Sequence, residues 1–277
     1  IHSVTIRRVA NPSHQVFYDK KTERQDLNAS PINRMGHIDS IRGIAALLVA
    51  FLHISAEYVK IPAVAAQGTF LNEIAYQLDF GRIGVVAFFA ISGFVICPTL
   101  KGGRYQGARR FLISRFFRLF RAFWTSMILV LLVMFVWQGR AIDTAQVLGN
   151  IPMLYSFFNV EPLEGLYWTL EVELIFYLLC LALFVCGLLH KPLILFFLGL
   201  VLMAASEWIF SRPDIKSAIT SALNIEWMFM PWNLAIMFWG GLFRIWYDDR
   251  LRRCQIFSVS VPVVALVLAL LFAILWS

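Results

Sequence analysis

The chain has 277 residues, of which 60% are hydrophobic and only 15% are charged. A soluble domain is about half apolar and about a quarter charged, so this composition argues against an ordinary soluble protein. The net charge of +7 does not indicate a nucleic-acid partner, because the basic residues lie between apolar runs and form no single binding stripe. The repeated apolar runs predict one polytopic bundle in a lipid bilayer.

The first 37 residues are polar, mixed in charge and without an apolar run. They lack the basic segment, apolar core and cleavage site that together make a signal peptide. We therefore expect 1–37 to be a flexible cytoplasmic tail and 38–277 to be the transmembrane domain.

The rest of the chain predicts an all-α fold, a bundle of about seven transmembrane helices. Its uncharged runs, extended by flanking Trp, Tyr and charged residues, approach the roughly 20 residues that a spanning helix requires. The predicted spans are 40–58, 82–100, 120–138, 167–189, 192–210, 226–244 and 256–276. With the N-terminus in the cytoplasm, 19 of the 24 Lys and Arg residues fall on the inner side. This asymmetry predicts a cytoplasmic N-terminus.

The first span, within IDSIRGIAALLVAFLHISAEY, carries Arg42, His53 and Glu57 on one helical face. Arg42 and His53 are 11 residues apart, a net rotation of about 20° and a rise of roughly 16 Å. Glu57 follows His53 by four residues, a spacing at which helical side chains meet. Taken singly, Arg42 is compatible with an interfacial anchor and His53 with an interhelical hydrogen bond. Their alignment favours function, since ionisable groups in a span usually face a cavity or the bundle interior.

An arginine repeat precedes the third span in FLISRFFRLFRAFW, where Arg115, Arg118 and Arg121 recur every three residues. Such a basic amphipathic segment anchors a helix among lipid head groups. Guanidinium forks also suit phosphate groups. The spacing leaves both interpretations open, a lipid anchor or an anion site.

Two carboxylates lie at the start of the fourth span in GLYWTLEVELIFYLL. Glu171 and Glu173 are two residues apart and so face different ways on a helix. We expect Glu171, nearer the outer surface, to be solvated. Glu173 shares a face with Tyr177 and is the better candidate for a buried polar partner. A further carboxylate, Glu207, lies near the end of the fifth span.

The second span, GVVAFFAISGFVICP, is rich in small residues and ends in a proline. Small residues let helix backbones approach closely in a membrane. This segment therefore predicts close helix packing, with a break at its cytoplasmic end.

These four segments, taken in their order along the chain, resemble the acyltransferase 3 family of polytopic membrane proteins, many of which O-acetylate cell-surface glycans. Arg42 and His53 match the family's arginine, ten intervening residues and histidine. The run 84–98 looks like its G-V-x-x-F-F-x-x-S-G-F segment. The motif residues there are Ser92, Gly93 and Phe94.

The two later motifs extend the resemblance. SRFFRLFRAFW is similar to the family's R-x-x-R segment, and WTLEVELIFY looks like its W-S-L-x-x-E-x-x-F-Y segment. In the latter, Trp168, Glu173 and Tyr177 are in register. Arg121 stands where the family usually has proline, and Thr169 where it has serine. Family members have about ten spans, so we expect this chain to be incomplete at its C-terminus.

The resemblance implies an O-acyltransferase that uses acyl-CoA, most simply acetyl-CoA, and no metal. Its acceptor would be a hydroxyl of a cell-surface carbohydrate, and its location the bacterial inner membrane. Arg42, Arg115 and Arg118 would bind the phosphates of the donor from the cytoplasm. His53 would be catalytic, with Glu57 or Glu173 orienting its imidazole.

Two other classes of protein stay open at this stage. A proton-coupled transporter would use His53 and Glu57 as a relay. Transporters often show inverted repeats and paired broken helices, and the sequence shows neither. A membrane scaffold or sensor without activity is the second alternative.

Overall fold

The computed structural model of the chain describes residues 36–66, 68–136, 139, 143–222 and 225–253. The predicted tail lies almost entirely outside these residues, and so does the seventh predicted span. The chain divides into two compact units, Ile1–Ser40 and Ile41–Ser277. Of the first unit, only 36–40, the opening of a helix, is described.

The described part of the chain is helical and contains no strand. Its helices, in chain order, are α1 (Gly36–Val59), α2 (Pro62–Ala65), α3 (Phe70–Gln77), α4 (Phe80–Ile96), α5 (Arg104–Val136), α6 (Thr144–Asn150), α7 (Trp168–Val185), α8 (Pro192–Phe210), α9 (Pro213–Ala222) and α10 (Met230–Arg253). Single 3-10 turns occur at Cys97–Thr99, Tyr155–Phe158, Gly165–Tyr167 and Ile225–Phe229. The predicted all-α fold is confirmed.

Five segments are long and apolar enough to cross a membrane, counting only residues that the structure describes. They are Ser40–Val59, Phe80–Thr99, Arg104–Val136, Gly165–Val185 and Pro192–Phe210. These segments coincide with the first five predicted spans. The sixth predicted span falls on α10, which is long but less apolar. The count of seven spans stays a prediction.

Helix α5 is longer than the third predicted span, 120–138. It begins directly after Gly102 and Gly103 and continues for 33 residues. At about 1.5 Å per residue this is about 50 Å, more than the roughly 30 Å hydrocarbon core of a bilayer. No proline or glycine interrupts residues 108–136. The arginine repeat and the apolar run therefore form one continuous helix.

Side-chain contacts give the relative directions of the long helices. In α1 and α4, Arg42 lies over the ring of Phe88 while Phe51 packs on Phe80, so these two helices are antiparallel. Contacts near both ends make α5 and α7 antiparallel as well. In contrast, α4 and α10 are parallel, because their contacts advance together along both sequences.

This alternation gives the bundle two distinct ends. We call the end where α1 and α8 finish and α4, α7 and α10 begin the histidine end. The opposite end, where α5 and α8 begin and α4, α7 and α10 finish, is the arginine end. The Lys and Arg distribution predicts that the arginine end faces the cytoplasm.

Helix α10 is the most deeply buried of the long helices, with every residue from Asn233 to Leu242 buried. Gly93 of α4 packs directly against its backbone at Met237, and Gly199 of α8 packs against Trp239. A side chain at either glycine would overlap its neighbour, so small residues permit the close approach.

Candidate functional site

A cavity of about 380 Å³ opens at the histidine end. Five long elements reach it: the end of α1, the start of α4, the start of α7, the end of α8 and the start of α10. His53 on α1 lines this cavity. The volume lies within the range of about 300–1,000 Å³ that is typical of small-molecule sites.

The polar lining comes from residues far apart in sequence. His53 is joined by Arg82 of α4, Thr169 of α7 and Glu207 of α8. Asn233 of α10, only 4% exposed, is also part of the wall. Such convergent polar groups in a concave, mostly apolar site are typical of a binding or active site.

The apolar lining is largely aromatic. Trp168, Trp232, Phe210 and Phe229 contribute to it, along with aliphatic residues of α1 and α4. The ring of Trp168 is held edge-to-face against Phe89, with 6.1 Å between ring centroids. The cavity therefore combines flat apolar faces with hydrogen-bonding groups.

Two cations near the histidine end, Lys60 and Arg82, form ion pairs. Lys60 Nζ lies 2.5 Å from Glu57 Oε1, in a pair that is about two-thirds exposed. Arg82 Nε lies 2.9 Å from Asp79 Oδ2. Glu57, predicted from sequence to meet His53, is thus bound to Lys60 and does not line the cavity. Among the described contacts, His53 and Glu57 do not form the pair that the transporter alternative assumes.

A second polar cluster lies toward the arginine end, between α5 and α7. Arg115, Tyr177 and Glu173 are all buried, with 7%, 4% and 5% of their surfaces exposed. The hydroxyl of Tyr177 donates a hydrogen bond to Glu173 Oε1 at 2.5 Å. The Arg115 guanidinium lies 5.7 Å from the ring centre of Phe111 and 5.8 Å from that of Tyr177.

This cluster compensates a buried charge. A buried guanidinium is costly unless it is paired and hydrogen-bonded. The Glu173 carboxylate, which accepts the Tyr177 hydroxyl hydrogen, attracts the Arg115 guanidinium electrostatically. Glu173, the other predicted partner of His53, is engaged here and does not line the histidine cavity.

The three predicted donor arginines are only partly brought together. Arg115 and Arg118 are neighbours on α5, but Arg118 is exposed whereas Arg115 is buried. Arg42 lies on α1 over the ring of Phe88, 5.5 Å from its centre. The structure describes no direct contact between Arg42 and the other two.

The S-G-F motif lies in the α4–α10 interface. Gly93 meets the backbone of α10, and Phe94 lies under the Arg244 guanidinium at 5.0 Å. Ser92 is fully buried, and its hydroxyl has no hydrogen-bond partner within the described residues. This segment contributes packing at the positions that the sequence assigned to close helix approach.

Glu171 differs from the sequence expectation. It is 2% exposed, and Ser156 donates a hydrogen bond to its Oε2 at 2.7 Å. The expectation of a solvated side chain was wrong because the segment between α6 and α7 packs over the start of α7. Asn150 anchors this segment through hydrogen bonds to the backbone of Glu161 and Leu163.

The sequence did not single out three of the polar or aromatic cavity residues, Glu207, Trp232 and Asn233. Only Glu207 left a signal, as a carboxylate near the end of a predicted span. Within the described residues, no group of His, Cys, Asp and Glu side chains is arranged to hold a metal ion.

The fold and the cavity define an integral membrane protein with a candidate active site at one end of its helical bundle. Residues 35–277 match the family model of the acyltransferase 3 domain, so the chain belongs to this acyltransferase family. No curated protein and no solved structure matches the chain. Membership of the family makes the chain a membrane acyltransferase.

Proposed function

We propose that the chain transfers an acyl group, most simply acetyl, from cytoplasmic acyl-CoA to a hydroxyl of a cell-surface carbohydrate. The membrane would be the bacterial inner membrane. The observation that carries this proposal is the separation of two polar sites in one bundle. A histidine cavity opens at one end, and Arg115 and Arg118 of α5 lie toward the other.

The donor is assigned to the arginine end. Arg118 is exposed on α5, and the buried Arg115 lies one turn before it on the same helix. Guanidinium groups bind phosphates in a planar, bidentate geometry that suits the diphosphate of coenzyme A. Arg42 would add a third cation on α1, roughly 16 Å of helix rise from His53. The long, thin pantetheine arm would carry the thioester along this distance.

The acceptor is assigned to the histidine cavity. Aromatic side chains such as Trp168 and Trp232 offer flat apolar faces to a sugar ring. Asn233 and Thr169 offer hydrogen bonds to its hydroxyl groups. A cavity with both features favours an acceptor that is itself amphipathic and rich in hydroxyls.

His53 then acts as the general base. Neutral imidazole has a pKa near working pH and accepts the proton of the acceptor hydroxyl. The hydroxyl oxygen attacks the thioester carbonyl carbon, the new C–O bond forms and the C–S bond breaks. The departing thiolate of coenzyme A takes the proton from the imidazolium, which restores His53.

The test is an acyl-transfer assay with purified protein in lipid nanodiscs. Labelled acetyl-CoA is supplied with an oligosaccharide acceptor, and release of free coenzyme A and labelling of the acceptor are followed together. We expect both products from the wild type and neither from His53→Gln. Absence of thioester cleavage by the wild type with every hydroxyl acceptor tried would overturn the proposal. A stable acyl adduct on His53 would replace the general-base route by a covalent one.

A further inference from the structure

Glu207 occupies an unfavourable position that its own surroundings do not explain. It lies in the last turn of α8, where the helix dipole is negative and disfavours a carboxylate. Its carboxylate has no ion-pair or hydrogen-bond partner among the described residues. The nearby Arg212 lies over the ring of Trp208 and faces Asp214. A side chain that is unfavourable in its own helix, and that no neighbour stabilises, is expected at a functional site.

The cavity places this carboxylate in the same space as a histidine. Three of the described lining residues titrate or carry charge: His53 of α1, Arg82 of α4 and Glu207 of α8. The lining residues of α7 and α10 are uncharged. Arg82 is already paired with Asp79. Glu207 is therefore the carboxylate that shares this space with His53.

His53 and Glu207 line one cavity of about 380 Å³, whose walls are mostly apolar. Charges interact more strongly in apolar surroundings than in bulk water. The Glu207 carboxylate therefore lies in the space in which His53 would become an imidazolium.

We propose that Glu207 is the positioning residue for His53, the role that sequence reasoning gave to Glu57 or Glu173. The inference rests on the proposed acyl transfer. When His53 takes the acceptor proton, Glu207 stabilises the positive charge that forms on the imidazole. Glu207 itself exchanges no proton, and the proton leaves His53 for the departing thiolate.

The experiment compares Glu207→Gln with Asp214→Asn in the nanodisc assay. Asp214 is an exposed carboxylate near the same end and is paired with Arg212. It lies outside the cavity, so Asp214→Asn removes the same charge without altering a cavity residue. We expect kcat to fall about 10- to 100-fold in Glu207→Gln and to stay unchanged in Asp214→Asn. The affinity for acyl-CoA should be unchanged in both variants, because the donor site lies toward the other end.

The pH profile gives a readout that a structural role would not produce. In Glu207→Gln the imidazolium loses the negative charge that stabilises it. The acid limb of the kcat/KM profile should therefore move to lower pH. Glu207→Asp, which keeps the charge, should retain the wild-type limb and recover part of kcat. An unmoved limb in Glu207→Gln would overturn the inference.

A double variant separates this inference from the proposed function. Residues that act as a unit have non-additive effects, so Glu207→Gln should cause little further loss of the residual rate in a His53→Ala background. Additive losses would mean that Glu207 acts independently of His53. If His53→Gln alone keeps full activity, the general-base function fails. If His53→Gln is inactive while both Glu207 variants retain wild-type kcat and pH profile, only the role of Glu207 fails.

Discussion

The two ends of the bundle treat their ionisable side chains in opposite ways. Toward the arginine end, Tyr177 donates a hydrogen bond to Glu173, and the Arg115 guanidinium lies over the rings of Phe111 and Tyr177. At the histidine end, His53 and Glu207 line open space. A satisfied buried network makes the fold rigid, whereas a titratable group facing a cavity remains available to a ligand. A titratable side chain that lines a cavity is therefore a better indicator of a functional site than a charged side chain that is buried.

The largest expected effect is the all-or-none labelling of the two ends. In a background with Cys186→Ser and Cys254→Ser, a cysteine at Lys101 should react with a membrane-impermeant maleimide only from the cytoplasm. A cysteine at Ser211 should react only from outside. Both native positions are exposed and lie at opposite ends of the bundle. Outside labelling at Lys101 would reverse the orientation and remove the cytoplasmic donor from the arginine end.

His53→Ala should separate activity from stability. Turnover should fall by about 10²- to 10⁴-fold, the usual range for loss of a general base. The thermal midpoint of the purified protein should be nearly unchanged, because the side chain lines a cavity and supports no packing core. Activity assays and thermal unfolding on the same preparation check both statements. A destabilised but active variant would make His53 a structural residue.

Arg115→Ala should show the opposite balance. It removes the cation from a buried cluster and with it the electrostatic attraction on the Glu173 carboxylate, a loss of about 1.5–3 kcal/mol in the free energy of unfolding. Denaturant titration of the detergent-solubilised protein measures this change. Arg115→Ala combined with Glu173→Gln is the control, because neutralising the carboxylate should restore part of the stability. Wild-type stability in Arg115→Ala would mean that the cluster is not a structural unit.

Arg118→Ala tests donor binding without disturbing the core, since this arginine is exposed. Loss of one charge-assisted contact should weaken acyl-CoA binding by about 1.5–3 kcal/mol, or roughly 10- to 150-fold. Arg118→Lys should restore only part of the affinity, because the guanidinium fork is lost. Unchanged donor affinity in Arg118→Ala, measured by calorimetry, would leave this arginine as a lipid anchor.

The smallest expected effect belongs to Tyr177→Phe. The change removes the hydroxyl that donates to Glu173 and leaves a buried acceptor short of one hydrogen bond, at a cost of about 1–3 kcal/mol. Chemistry at His53 should continue at the wild-type rate, because Tyr177 does not line the cavity. Denaturant titration and the acyl-transfer assay are read together. A large loss of kcat without loss of stability would link the two ends catalytically.

The membrane fold was readable from the sequence because apolar run length follows directly from the thickness of the bilayer. The first residue of α5 was harder to predict from the sequence. The helix continues through a basic amphipathic segment because no glycine or proline stops it. The burial of Glu171 was missed for a different reason. It depends on Ser156, which belongs to a connecting segment whose path no local pattern predicts.

Only part of the candidate site could be predicted from the sequence. His53 was identified because it lies on the same helix as Arg42, and residue spacing fixes the relative positions of side chains on one helix. Glu207 and Asn233 reach the cavity from α8 and α10, and tertiary packing brings them into one cavity with His53. The pairing of Glu57 with Lys60 shows the same limit. The spacing shows which side chains Glu57 could contact, but not which of them it pairs with.

The modest apolarity of α10 has a consequence for how the protein is made. Insertion of a single helix into a membrane depends on the apolarity of its own surface. Buried between α4 and α8, α10 presents Asn233, Trp239 and paired glycines to its neighbours and little to lipid. It is also synthesised after both of them. We therefore expect α10 to insert into the bilayer only by packing against helices that are already inserted. In chains that lack α4 or α8, α10 should remain outside the bilayer.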